Sequence, residues 1–217
     1  MLFCNSLYVL NICKILHFII KEEYLQYFKD FLKQSFYKRF TGIGKRSKTS
    51  MQRVLLELKL KQLLPEKIIA LEMFGMHGLW HTMDYIDFVI SLDMFEINKT
   101  YHEMSKGSLK NYPVKFHHQD SIKYISETKA TYNFVVADAP IILGKFFESN
   151  GLPYFFNDLI KVTASSGIII FNFHSNYLHN FLEFKLLIQN NVGSRKIKEL
   201  FFVPRNENLT YGVLVLE

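Results

Sequence analysis

Two cysteines, one tryptophan and five prolines among 217 residues leave several protein classes out. Cys4 and Cys13 cannot build a disulfide framework, and neither has a sequence neighbour that would activate it. They fit a reducing compartment, and a cytoplasmic location is expected. Ten Gly and five Pro exclude collagen-like and low-complexity chains. The sequence has neither a glycine-rich phosphate loop ending in Lys-Ser/Thr nor a serine-hydrolase elbow. No positive leader precedes the apolar run over residues 1–20 and no small-residue cleavage site follows it, so a secretory signal is not expected. Asn5, Ser6, Asn11, Lys14 and His17 interrupt that run, which predicts an amphipathic helix rather than a membrane span.

What is abundant is apolar and aromatic: 49% hydrophobic residues, with 21 Phe and 12 Tyr, enough for one well-filled domain. The formal net charge of +6 is unevenly spread. Residues 1–32 hold three Lys and three acids, residues 33–62 hold nine basic groups and only Glu57 as an acid, and residues 63–217 hold 14 basic and 16 acidic groups. The basic character therefore belongs to one stretch, where Lys38, Arg39, Lys45, Arg46, Lys48 and Arg53 are candidates for contact with a nucleic acid or an acidic protein surface. A solvated helix-loop-helix is the plain alternative.

The texture of the chain changes near residue 65. Before it, Tyr24, Phe28, Leu32 and Phe36 recur at helical spacing, 41–50 is a Gly/Ser/Thr-rich basic loop, and a helix begins near Ser50 and stops before Pro65. Residues 1–65 thus read as a helical appendage and 66–217 as the main domain. After 65, apolar runs at 67–74, 88–96, 114–118, 132–138 and 167–173 predict strands, and 78–86, 98–109, 120–128, 150–163 and 175–190 predict helices. That alternation implies an α/β, doubly wound, mostly parallel sheet. The last two strands, 196–203 and 210–217, are joined by so short a link that they must form an antiparallel hairpin, giving seven strands in all.

Ligands of open α/β sheets bind beyond the carboxyl ends of the strands. The first strand runs into Glu72-Met73-Phe74-Gly75-Met76-His77-Gly78 and the second into Asp93-Met94-Phe95-Glu96-Ile97-Asn98. The third runs into Gln119-Asp120-Ser121 and the fourth into Ala137-Asp138-Ala139-Pro140-Ile141. A carboxylate ending the second strand can accept both hydroxyl protons of a ribose. Glu96 is the first choice for that role and Asp93 the second, with a solvated strand end or a helix cap as the alternative for either. Asp120 is equally an N-cap candidate.

Five β/α units closed by an antiparallel hairpin, with these strand ends, are similar to the class I S-adenosylmethionine-dependent methyltransferases over about residues 65–217. The resemblance implies S-adenosyl-L-methionine as cofactor. It places Glu72 at the methionine end, backed by the turn of Phe74, Gly75 and Gly78, and Glu96 on the ribose. It also turns Asp120 toward the adenine amine, with Ser121 giving a backbone N–H to the ring. The family's turn has glycine where this chain has Phe74 and Met76, although Phe is common at the first of these in nucleic-acid methyltransferases. After the fourth strand, family members acting on adenine or cytosine amines carry Asp or Asn, two prolines and an aromatic ring. Asp138 and Pro140 match that pattern and are implied as the catalytic, substrate-facing pair, whereas Ala139 and Ile141 depart from it. The missing ring removes roughly 1–3 kcal/mol of base stacking. Phe146 and Phe147 could supply a displaced ring or belong to a core.

His77, His81 and Asp84 share helical spacing, but no Cys or further His lies near them in sequence, so no metal is expected and a cap or pocket-wall role is favoured. Trp80 is a further candidate for the pocket wall, and His117 and His118 should point to opposite faces. Two other readings stand beside a methyltransferase. One is a catalytically degenerate module that binds nucleic acid or a protein through its basic segment. The other is an enzyme acting on a small molecule or glycan, with the N-terminal helices as a lid.

Overall fold

The computed structural model describes residues 50–138, 152–174, 186, 188–190, 195–206 and 208–217. Short runs rich in β-branched and aromatic residues become β1 (Ile68–Glu72), β2 (Val89–Phe95), β3 (Val114–His117) and β4 (Tyr132–Ala137). Between them lie α2 (Gly75–Tyr85), α3 (Lys99–Leu109) and α4 (Ser121–Glu127). A helix α1 (Ser50–Leu60) precedes β1, and α5 (Leu152–Lys161) leads into β5 (Thr163–His174). The chain closes with β6 (Ile197–Pro204) and β7 (Leu209–Leu216). The helices predicted before residue 50, and all of 175–190 except 186 and 188–190, lie outside the described residues.

The seven strands form one sheet in the order β3-β2-β1-β4-β5-β7-β6. β1 to β5 are parallel, and β7 slots between β5 and β6 antiparallel to both. The expected seven-stranded sheet with a terminal antiparallel hairpin is therefore the observed one. Asn133 fixes the start of the central pair: its Oδ1 accepts from the Ile69 N–H and its Nδ2 donates to the Lys67 carbonyl, each at 2.8 Å.

Alternation along the strands sends side chains to two cores. Leu71, Phe95, Val135, Ile169 and Phe171 pack with α4 and α5 through Ile125, Phe155, Phe156 and Leu159. On the other face Ala70, Leu92, Met94, Phe134, Val136 and Ile170 pack with α1, α2 and α3 through Met51, Val54, Leu58, Tyr85 and Leu109. Helix α1, for all its basic residues, puts an apolar stripe against the sheet. It belongs to the same compact unit as the seven strands. No helix among the described residues is long and apolar enough to cross a membrane.

Candidate active site

Parallel register places the acids. Glu72 lies level with Met94 of β2 and Val136 of β4, so Glu96 and Asp138 each stand two residues further out along the same carboxyl edge and share its parity. The switch in strand order falls between β1 and β4, whose carboxyl ends open on the crevice where α/β sheets bind ligands.

The β1–α2 turn is tight because Glu72 ends the strand and Gly75 already begins the helix. A Cβ on Gly75 would stand 2.8 Å from Met94 Cγ and 3.3 Å from the Phe95 carbonyl oxygen, so the bare backbone lets the turn press against β2. Phe74 occupies the N-cap position with no side-chain hydrogen bond to the helix, and its ring packs into the core on the α4 and α5 side. Gly78 lies within α2.

Glu72 is fully buried and faces α2. Its Oε2 accepts from the Tyr85 hydroxyl at 2.5 Å and from Thr82 Oγ1 at 3.4 Å, whereas Oε1 has no hydrogen-bond partner among the described residues. Burial pushes this carboxyl up to about 8; the bond from Tyr85 opposes the rise and the nearby Asp138 charge adds to it.

Glu96 follows β2, with its backbone N–H on the His117 carbonyl and its Oε1 accepting from the Asn98 N–H at 2.7 Å. Asn98 in turn caps α3 through Tyr101 N–H. Asp93, the second choice for the ribose, sits within β2 on the opposite face, where it accepts from the Tyr132 hydroxyl at 2.8 Å and pairs with His117 Nε2 at 2.9 Å. His117 stacks on Phe95, while His118 reaches the Ile97 carbonyl on the α3 side. Asp120 is the N-cap of α4, its Oδ1 accepting from Ile122 N–H at 2.8 Å and Lys123 N–H at 3.5 Å. Ser121 begins that helix and is buried.

Asp138 is the most heavily engaged of the acids. Because Ala137 pairs with Phe171 and Asn172 pairs with Tyr211, Asp138, Asn172 and Tyr211 fall in one row across β4, β5 and β7. Asn172 Nδ2 donates to Oδ1 at 2.6 Å, and the Tyr211 hydroxyl donates to Oδ2 at 2.9 Å. Arg205, delivered by the β6–β7 turn, binds Oδ1 at 3.0 Å, and His81 of α2 pairs with Oδ2. His81 Nδ1 also meets the Tyr211 hydroxyl at 2.6 Å. Burial opposes ionisation of Asp138, but the hydrogen bond and attraction of His81, with Arg205 and Asn172, outweigh it and hold the carboxyl below its ordinary range.

The sequence had marked His81 only for a metal, a cap or a pocket wall, and had not singled out Tyr85, Asn172, Arg205 or Tyr211. Asn172 carried a signal: one amide inside the apolar run of β5 is costly unless paired. Among the described residues no group of three or more His, Cys, Asp or Glu is placed to hold a metal ion. Of the basic candidates, Arg53 donates to the Pro204 carbonyl at 2.7 Å. Lys38, Arg39, Lys45, Arg46, Lys48, Pro140, Phe146 and Phe147 lie outside the described residues.

A parallel sheet ordered 3-2-1-4-5-7-6 with strand seven antiparallel has the fold of the class I S-adenosylmethionine-dependent methyltransferases. No family model matches the sequence, and no curated protein matches it. Among solved structures it is similar to the N-methyltransferase NodS of Bradyrhizobium japonicum in complex with S-adenosyl-L-homocysteine. The two are 12% identical, with 76% of this chain and 84% of that one covered and a TM-score of 0.55. It is also similar to a S-adenosylmethionine-dependent methyltransferase of Leishmania major, at 16% identity, 77% and 72% coverage and a TM-score of 0.55.

Proposed function

We propose that the protein is an S-adenosylmethionine-dependent methyltransferase. The observation that carries this reading is the edge itself: in a sheet of this order, Glu72, Glu96 and Asp120 stand at the carboxyl ends of three successive strands. The donor set suits the cofactor's chemistry. Glu96 offers a carboxylate to the ribose hydroxyls. Asp120 caps α4 with Oδ1 alone, which leaves Oδ2 for an exocyclic amine. Helix α2 starts at the crevice without a side-chain cap, so its first N–H groups suit a carboxylate. Glu72 has one oxygen to offer a cation.

When bound, the cofactor supplies a methyl group already activated by its positive sulfur. The chain's own task is then to align an acceptor with that methyl and keep water away. Asp138 contributes indirectly. A carboxylate has about four acceptor positions, and Asn172, Arg205, Tyr211 and His81 fill them. Its work is to fasten the terminal hairpin and α2 around the crevice rather than to receive a target amine.

Calorimetric titration with S-adenosylhomocysteine tests the reading. The parent should bind, and Glu96→Ala should weaken binding by about tenfold or more, since hydrogen bonds to a charged group each contribute about 1.5–3 kcal/mol. No binding by the parent, or equal binding by the variant, would count against it.

A further inference from the structure

Glu72 is a buried acid with half of its hydrogen-bonding capacity unused. Tyr85 and Thr82 serve Oε2, and Oε1, equally buried, meets no donor among the described residues. An ionised carboxylate in that position would carry an uncompensated desolvation cost. Among the described residues, the groups around it do not supply a cation. From α2 come Tyr85, Thr82 and His81; from the end of β4 comes Asp138, which repels a second negative charge; and from β7 comes Tyr211. The nearby guanidinium of Arg205 is bound to Asp138, and so is His81.

We propose that Glu72 is neutral in the ligand-free protein and gives up its proton as it receives a cationic ammonium group, so that ligand binding at this crevice is proton-linked. The inference rests on the methyltransferase reading, in which that ammonium is the amino-acid end of the cofactor. The proton goes to solvent, and the carboxylate left behind pairs with the ammonium, so charge balances within the site. Burial holds the carboxyl at about 8, so most molecules are protonated there at pH 7 before ligand arrives.

The experiment is calorimetry of S-adenosylhomocysteine binding to the full chain at pH 7, in two buffers of unlike ionisation enthalpy, together with the dissociation constant from pH 6 to 8. The parent should release close to one proton per ligand, and its affinity should rise close to tenfold per unit between pH 6 and 7 and flatten near 8. Glu72→Gln should bind with no proton release and no such slope. Binding by the parent without proton release overturns the inference and leaves the methyltransferase reading standing; so does the same proton count in a folded Glu72→Gln. If the variant does not fold, the parent's slope alone decides. No binding by the parent at any pH overturns both.

Discussion

Asp138 shows how strongly a residue's neighbours decide its role. A carboxylate that is 1% exposed can stay ionised only if its oxygens are fully served, and here they are served from α2, β5, β7 and the β6–β7 turn. Removing the carboxylate and removing one partner should therefore differ. Asp138→Ala strands His81, Asn172 and Tyr211 in the interior, and loss of one member of a buried pair costs about 3–5 kcal/mol. Arg205 has a side chain 28% exposed, so after Arg205→Ala three donors still serve the carboxylate and water can reach the vacated side. Its cost should be smaller, about 1–2 kcal/mol. Urea denaturation of the two variants checks the ranking, and equal midpoints would contradict it.

At the scale of elements, the pairing of β5 with β7 depends on a glycine. Gly212 pairs with Phe171, whose ring lies across it, and any Cβ there would overlap the ring. Phe171 cannot simply move, because it packs edge-on against Phe156 at 5.1 Å and alongside Phe173 at 5.7 Å. Gly212→Ala should cost about 1–3 kcal/mol. For a domain of this size that is a fall of about 2–4 °C in Tm per kcal/mol, read by thermal unfolding. A Tm equal to the parent's would show that the ring is not held.

The elements themselves were legible, because period-two and period-3.6 patterns depend only on near neighbours. The short link before β7 even dictated its direction. Three features were hidden. Strand β5 starts at Thr163 rather than near 167, since polar residues there gain strand form only by pairing beside Tyr132. Helix α1 lies in the basic stretch, which can be read as solvated; Met51, Val54 and Leu58 stand at helical spacing, but the sheet they pack on is set by contacts distant in the chain. The partners of Asp138 come from distant parts of the chain, and strand register alone brings Asn172 and Tyr211 beside it.

For the whole molecule, the buried acids set how stability changes with pH, and the two principal ones act in opposite directions. Asp138 is held below its ordinary value of 3.8, so it contributes stability above that value which is lost as pH falls through its folded value. Glu72 rises from 4.5 to about 8, so its contribution is complete below 4.5 and is lost as pH climbs toward and through 8. Tyr85 and Tyr211 are pushed above 10 by burial, so folding keeps their protons and loses stability only beyond pH 10. The ligand-free protein should therefore be most stable on the acid side of neutrality and decline from about pH 5 to pH 8, the interval set by Glu72. Glu72→Gln cannot ionise and keeps an oxygen for Tyr85, so its stability should match the parent's near pH 5, exceed it at pH 8 and vary less between. Denaturant titrations of both proteins across that range measure the difference. Curves that stay parallel would show that Glu72 does not titrate there, because a neutral amide and a titrating acid cannot give the same pH dependence.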